Sequence, residues 1–282
     1  MANITPTTAA VMIPEVWSGD ILRAVESNLV LANLVKRYDA DVKSGGDTVH
    51  IPNVANFTAA DKTAGSAVTF AANTETENSI TINKHKVVPF LVEDIVKAQS
   101  RYDLRSEYTD KAGYAISKAI DSDIAALYSG LSQSVDATTA LTDAHVITAI
   151  EYLDTADAPR DGRSFVIHPK AMADLRALDK FTRYDAIGSK GVQDGGRNGL
   201  VANVYGIDVY LSTNVALNTT PTPDEWNNLM FHKEAFGLAL QKAPTVESEY
   251  SVDYLGTKVA AHTIYGVSEL RDTFGVNIKL QV

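Results

Sequence analysis

One long amphipathic run limits the folds open to this chain of 282 residues. From Asp103 to Leu131 the larger apolar residues Leu104, Tyr108, Ile116, Ile120, Ile124, Leu127, Tyr128 and Leu131 recur three and four apart, with Ala112, Ala115 and Ala119 between them. That spacing paints one face of an α-helix. Asp103 and Ser100 are candidate caps before the run, and Gly130 is a candidate stop. Arg105, Glu107, Asp110, Lys111, Lys118, Asp121 and Asp123 supply the polar face. At 1.5 Å per residue the helix would reach roughly 40 Å, more than the width of a small domain. It reads as a strut to which the other elements attach.

The composition narrows the function. Apolar residues make up 45%, the ordinary globular share. Lys plus Arg is 25 and Asp plus Glu is 35, so the formal charge is 25 − 35 = −10. That balance argues against a dedicated nucleic-acid grip, which needs clustered cations. The chain has no cysteine, which excludes disulfides and thiolate metal sites. MANITPTTAAVMIPEVW has neither the basic start nor the apolar core of a signal peptide. No stretch approaches the roughly 20 apolar residues of a membrane-spanning helix. A cytoplasm-like setting is expected, without membrane contact.

Residues 1–13 read as an extended arm, rich in Thr and Ala. A short helix is predicted within Ile13–Tyr38, where Trp17, Ile21, Val25 and Leu29 fall four apart behind Pro14. Such a lone stripe needs another surface to lie on. TVHIPNV and SITINKHKV read as two strands, the second alternating Ile80, Ile82, Lys84 and Lys86 with polar neighbours. Between them lie small and polar residues, with Phe57 and Phe70 as the only large apolar side chains. A ribbon of this kind has no core of its own, and isolated two-stranded ribbons are marginal in water. The strand-like ends argue that another molecule clamps it.

Leu91–Gln99 reads as a short helix or turn, and residues 132–142 as a linker. A compact α/β section follows. Thr142 or Asp143 caps a helix carrying Val146, Ile147, Ile150 and Leu153; SFVIH is a buried strand; Pro169–Leu178 is a helix; IDVYLS and LMFH are strands. The glycine-rich segment Ile187–Val201 reads as an exposed loop. From Val246 to Val282 strand character returns.

Catalytic chemistry finds little footing. His168 ends a strand before a Pro-started helix and reads as a capping residue. The other histidines stand apart, without H-x-H or HExxH, so no metal site is expected. Ser164 lies near His168, but no G-x-S-x-G elbow surrounds it. GSKGVQDGGRNG matches neither the P-loop nor the dinucleotide fingerprint. Glu15, Asp20, Glu93 and Asp94 sit on amphipathic stretches where a solvated face is the default. Neither an enzymatic role nor a cofactor is expected.

Read in order, IPEVWSGDILRAVESNLVLANLV, GGDTVHIPN, VPFLVEDIVKAQS, SFVIHPKAMADLRAL, YGIDVYLSTNV and FHKEAFGLAL resemble the major capsid proteins of tailed bacteriophages, over essentially the whole chain. The resemblance implies the α+β Hong Kong 97-type shell fold. An N-terminal arm would span residues 1–44 and an extended loop residues 45–90. A peripheral domain on the spine helix would take residues 91–138 and 246–282, and an inserted axial domain residues 139–245. It also implies self-assembly through pentamers and hexamers into an icosahedral virion capsid around double-stranded DNA, formed in the bacterial cytoplasm. A portal and a decoration protein are implied partners, and because the arm-like motif starts near Ile13 and leaves no room for a built-in scaffolding segment, a separate scaffold protein or unaided assembly is expected. Contacts between copies are expected at Trp17, Ile21, Val25, Phe57, Lys62, Phe70, Ile80 and Ile82. Some members cross-link a lysine of the extended loop to a neighbour's asparagine. Lys62 stands near that place and reads here as a surface or interface lysine.

Three other readings compete. An encapsulin-type compartment shares the fold but encloses enzymes. A tail or decoration adhesive would also be acidic and free of cysteine, but the long central helix opposes it. An enzyme would need the site that is missing.

Overall fold

In the computed structural model, the residues described are 30–43, 45–53, 75–95, 104–178 and 200–282, together with 59, 61–65 and 67. Among the described residues, thirteen strands and five helices carry the fold. The first elements are α1 (Leu31–Leu34), β1 (Lys36–Arg37), α2 (Asp39–Val42), β2 (Thr48–Asn53), β3 (Thr76–Thr81), β4 (Lys84–Glu93) and α3 (Leu104–Ala125). A 3₁₀ turn, Ala126–Gly130, extends α3 to the glycine named as its stop. Then come β5 (Gln133–Ala137), α4 (Asp143–Thr155), β6 (Arg163–Ile167), α5 (Pro169–Ala177), β7 (Leu200–Val204), β8 (Ile207–Leu211) and β9 (Ala216–Asn218). The chain ends on β10 (Glu225–His232), β11 (Phe236–Ser251), β12 (Gly256–Glu269) and β13 (Gly275–Gln281).

The strands form three sheets. A four-stranded sheet has the order β1-β11-β12-β4, and a seven-stranded sheet has β5-β13-β10-β6-β8-β7 with β9 also on β10. The third is the two-stranded ribbon β2-β3, in register from Thr48 opposite Thr81 to Asn53 opposite Thr76.

The spine helix α3 lies on one face of the four-stranded sheet, against β4, β11 and β12. Ala112, Ile116, Ile120, Ile124 and Ala125 are buried apolar residues of this helix and share one core with Val246, Val259, Ala261 and Tyr265 of the sheet. The strands β4 and β12 run antiparallel, with Phe90 opposite Val259 and Val88 opposite Ala261. The seven-stranded sheet is more enclosed. All five residues of β6 are buried, as is β10 from Asn227 to His232. Buried residues of α4 (Val146, Ala149, Leu153) and α5 (Ala171, Met172, Leu175) join the same core. Arg163 fastens α4 to β6: its guanidinium reaches Asp154 at 2.7 Å and donates to the carbonyls of Ala158 and Pro159.

The strut, the capped helix α4 and the strands β6, β8 and β10 fall where the sequence places them, and Thr142 with His145 forms a capping box. Other expectations need correction. The Trp17–Leu29 stripe of the expected Ile13–Tyr38 helix lies outside the described residues; within residues 30–38 the chain is helical only at α1, and Lys36 and Arg37 instead pair parallel to Gly237 and Leu238. Leu91–Glu93 is strand, because Val92 and Leu91 pair with Thr257 and Lys258. The 132–142 linker contains β5, whose Val135 and Ala137 are buried and whose partner is β13. Within the segment 246–282, β11 and β12 stay with the spine helix, while β13 crosses into the seven-stranded sheet, between β5 and β10.

Candidate assembly surfaces

The ribbon, read as coreless, has a core at its root. Ile80 is fully buried with Val42, Ala239 and Leu270, and Tyr38, Val49, Ile51 and Ile82 pack around them. Two glycines permit the approach. A Cβ on Gly237 would stand 2.6 Å from Ile80 Cδ1, and one on Gly266 would collide with the Thr81 carbonyl oxygen. Polar ties fix the register: Asn78 Nδ2 donates to the Leu270 carbonyl at 2.6 Å, Ile82 N to Asp47 O at 2.7 Å, and Gln241 Nε2 to Gly46 O at 2.8 Å. Ile80 thus serves a contact within the chain and leaves no side-chain surface for a neighbour. Ile82 is half-buried beside it, and Lys62 is exposed. Trp17, Ile21, Val25, Phe57 and Phe70 lie outside the described residues.

The face of the four-stranded sheet opposite α3 carries the ribbon root at one end, around Gly237, Ala239 and Gly266, and is open at the other. Along β4 the side chains alternate half-buried and exposed, so Lys84, Lys86, Val88 and Phe90 turn towards the helix while Val87, Pro89 and Leu91 turn out. Val87 is 55% exposed and Leu91 39%. Pro89, Leu91, Ala260, Glu247, Glu249 and Lys258 border a groove of about 650 Å³ on this side. A second apolar group crowns the β11–β12 hairpin: Tyr250, Val252, Tyr254 and Leu255 are all more than half exposed, and so is Ile95 nearby. Tyr250 Oη donates to Asp94 at 2.9 Å, Asp94 N donates to Leu255 O at 3.0 Å, and the Lys258 ammonium sits 4.9 Å from the Tyr254 ring centre. The tip is thereby held in one shape while its apolar atoms stay in water. Grouped exposed apolar side chains of this kind mark surfaces that another molecule covers.

Electrostatics pin the sheet to the spine. Asp123 of α3 takes a hydrogen bond from Tyr265 Oη at 2.6 Å and ion pairs from Lys84 and Lys86 at 3.2 and 3.3 Å. Burial pushes the Asp123 carboxyl up, but the Tyr265 bond and the lysines outweigh it and hold it below its usual value. The same bond, added to burial, pushes the Tyr265 phenol well above its own. On the open face His262 meets Lys242 Nζ at 2.6 Å and the His85 ring at 5.6 Å; burial and Lys242 keep its imidazole below the usual value.

The candidates for catalysis are not assembled. His168 Nδ1 accepts the Lys170 backbone N–H and the ring stacks on Trp226 at 3.8 Å, which is a helix cap with a packed neighbour. Ser164 is buried in β6 opposite Asp208. Among the described residues no three His, Cys, Asp or Glu side chains group as a metal site. The exposed set on β4 and at the hairpin tip was not singled out from the sequence. Its signal was present in SVDYLG, where a turn carries Val, Tyr and Leu in place of polar residues.

Comparisons with known proteins agree with this geometry. The sequence model of the phage capsid protein family matches residues 74–276. A structure from Mycobacterium phage Che8 superposes with a TM-score of 0.72 at 27% identity, covering 89% of this chain and 90% of the other. The capsid of the cyanophage P-SCSP1u gives 0.70 at 19%, covering 89% and 88%, and the mature capsid of bacteriophage PhiM1 gives 0.67 at 14%, covering 90% and 87%. No curated protein matches in sequence. The family match favours the phage shell over the enzyme-enclosing compartment. The chain belongs to the phage capsid protein family, and it is a structural major capsid protein with the Hong Kong 97-like fold.

Proposed function

We propose that copies of this chain close first into pentamers and hexamers and then into an icosahedral shell around double-stranded DNA, in the cytoplasm of the bacterial host. The observation that carries the reading is the open face of the four-stranded sheet, an apolar groove and hairpin tip left uncovered in a chain whose family builds shells. The part of the arm before α1 and the ribbon beyond its root would lie on neighbouring copies. The α3 sheet would act as the peripheral domain and the seven-stranded sheet as the axial domain. Such contacts join two different surfaces, so repetition closes rings. Burying a Leu, Val or Tyr contributes about 1.5–3 kcal/mol each, and many modest contacts allow wrong placements to dissociate. The chain's acidic balance, −10, would leave enclosed DNA mobile against the wall. A portal, a separate scaffold and a decoration protein are the proposed partners.

The test shortens the ribbon and spares its root. Residues 54–74 are replaced by a two-residue turn, leaving Ile80 and its partners in place. Electron microscopy of the full chain should show thin-walled closed particles or rings, and the shortened chain should remain as free subunits with an unchanged folding transition. Closed, durable shells from the shortened chain would defeat the proposed role of the ribbon.

A further inference from the structure

We infer that Asp121 is a proton-operated latch, fastening the segment at Val30 to the spine helix and to the turn at Asn214. Asp121 lies on α3 and is 1% exposed. Its Oδ2 accepts the Val30 N–H at 3.3 Å, and the backbone N–H groups of Leu31 and Ala32 and the Asn214 side chain also face it. Three segments far apart in sequence therefore meet at one carboxyl: the chain entering α1, the strut, and the turn between β8 and β9. The arrangement leaves two acceptors unserved, because Asp121 Oδ1 and Asn214 Oδ1 are both buried without a hydrogen-bond partner.

Among the described residues no cation neutralises this carboxylate. The helix packed against it, LANL, carries no charge, and neither does the turn STNV. On its own helix Lys118 is exposed, and Asp123 is engaged with Tyr265, Lys84 and Lys86. Lys36, just past α1, pairs with Glu234 at 3.1 Å. A charge met, among the described residues, by neutral donors alone is costly to bury. The neutral acid removes that cost and adds an O–H, the donor that two orphaned oxygens lack.

Burial pushes the Asp121 carboxyl up to about 6, against the lowering effect of the backbone and Asn214 bonds. When the segment detaches, the carboxyl returns to its ordinary value of 3.8. The attached form therefore holds the proton more tightly. Attachment is strongest below the ordinary value, weakens as pH rises towards about 6, and is level above it. The contacts of this one subunit carry the inference, which stands or falls apart from the role given to the ribbon.

Hydrogen exchange on the full chain tests it, read by mass spectrometry on peptides covering residues 30–35 and corrected for the intrinsic pH dependence of exchange. Protection should be about thirtyfold greater at pH 4.5 than at pH 7, as a shift of this size implies. In Asp121→Asn, which is always neutral, that difference should vanish. Equal protection at both pH values in the unaltered chain, or an undiminished difference in Asp121→Asn, would overturn the latch. Carbon NMR of the Asp121 carboxyl in the unaltered chain decides the matter even if the variant does not fold. A midpoint near 6 supports the latch, and one at or below 4 overturns it.

Discussion

The two large sheets solve opposite problems. The seven-stranded sheet hides its central strands: β6 is buried along its length, and Phe165, Met230 and Phe231 are fully enclosed. The four-stranded sheet is covered by α3 on one face and only in part, by the ribbon root, on the other, where Val87 and Leu91 meet water. An enclosed sheet derives its stability from its own chain. An open one is finished only when something else is laid upon it. In a shell protein this division separates folding from assembly, so that a subunit can be stable and still be unsatisfied.

That contrast can be broken most severely from the enclosed side. Phe231→Ala removes a ring packed on Phe236 at 5.2 Å and should cost about 3–5 kcal/mol, read as a lowered midpoint in denaturant unfolding of the subunit. The ribbon root should come next. Ile80→Ala opens a cavity among Val42, Ala239 and Leu270 worth about 2–4 kcal/mol, and limited proteolysis should cut the ribbon faster while β10 and β6 stay protected. A smaller effect belongs to Asp123. Because its carboxyl is held below the usual value, its contribution is present above the ordinary carboxylate range and fades as pH falls through the lowered value. Asp123→Asn should therefore cost on the order of 1–2 kcal/mol at neutral pH and less in acid, seen as a flattened pH dependence of the unfolding free energy. The smallest folding effect, within about 0.5 kcal/mol, is expected for Leu91→Asp on the open face. The same substitution should abolish closed particles in light scattering. A variant that unfolds the subunit would erase the distinction between the two sheets.

The sequence displayed the enclosed parts best. The strut announced itself through Ile116, Ile120 and Ile124, and the strands SFVIH and LMFH through continuous apolar runs, since helix period and full burial are local signals. What it hid depended on partners distant in sequence. QSVDA looks like linker because its small polar residues are redeemed only by lying beside β13. The extension of β4 to Glu93 rests on pairing with β12, more than 160 residues later. The ribbon root was missed for the same reason: Ile80 meets Ala239 and Leu270 only after the chain has returned. The proposed assembly surface differs in place from the one expected. A ribbon short of apolar residues pointed to a partner, but the apolar side chains awaiting one include those at the far tip of another hairpin, Tyr250 to Leu255.

The position of β13 bears on how such a protein is made. Among the described residues β5 has no strand neighbour except β13, and β13 joins it to β10. While the chain is still emerging from the ribosome, that slot stays vacant and the sheet remains in two pieces. A polypeptide that stopped before β13 would carry its spine helix and hairpin tip but leave β5 without its strand partner.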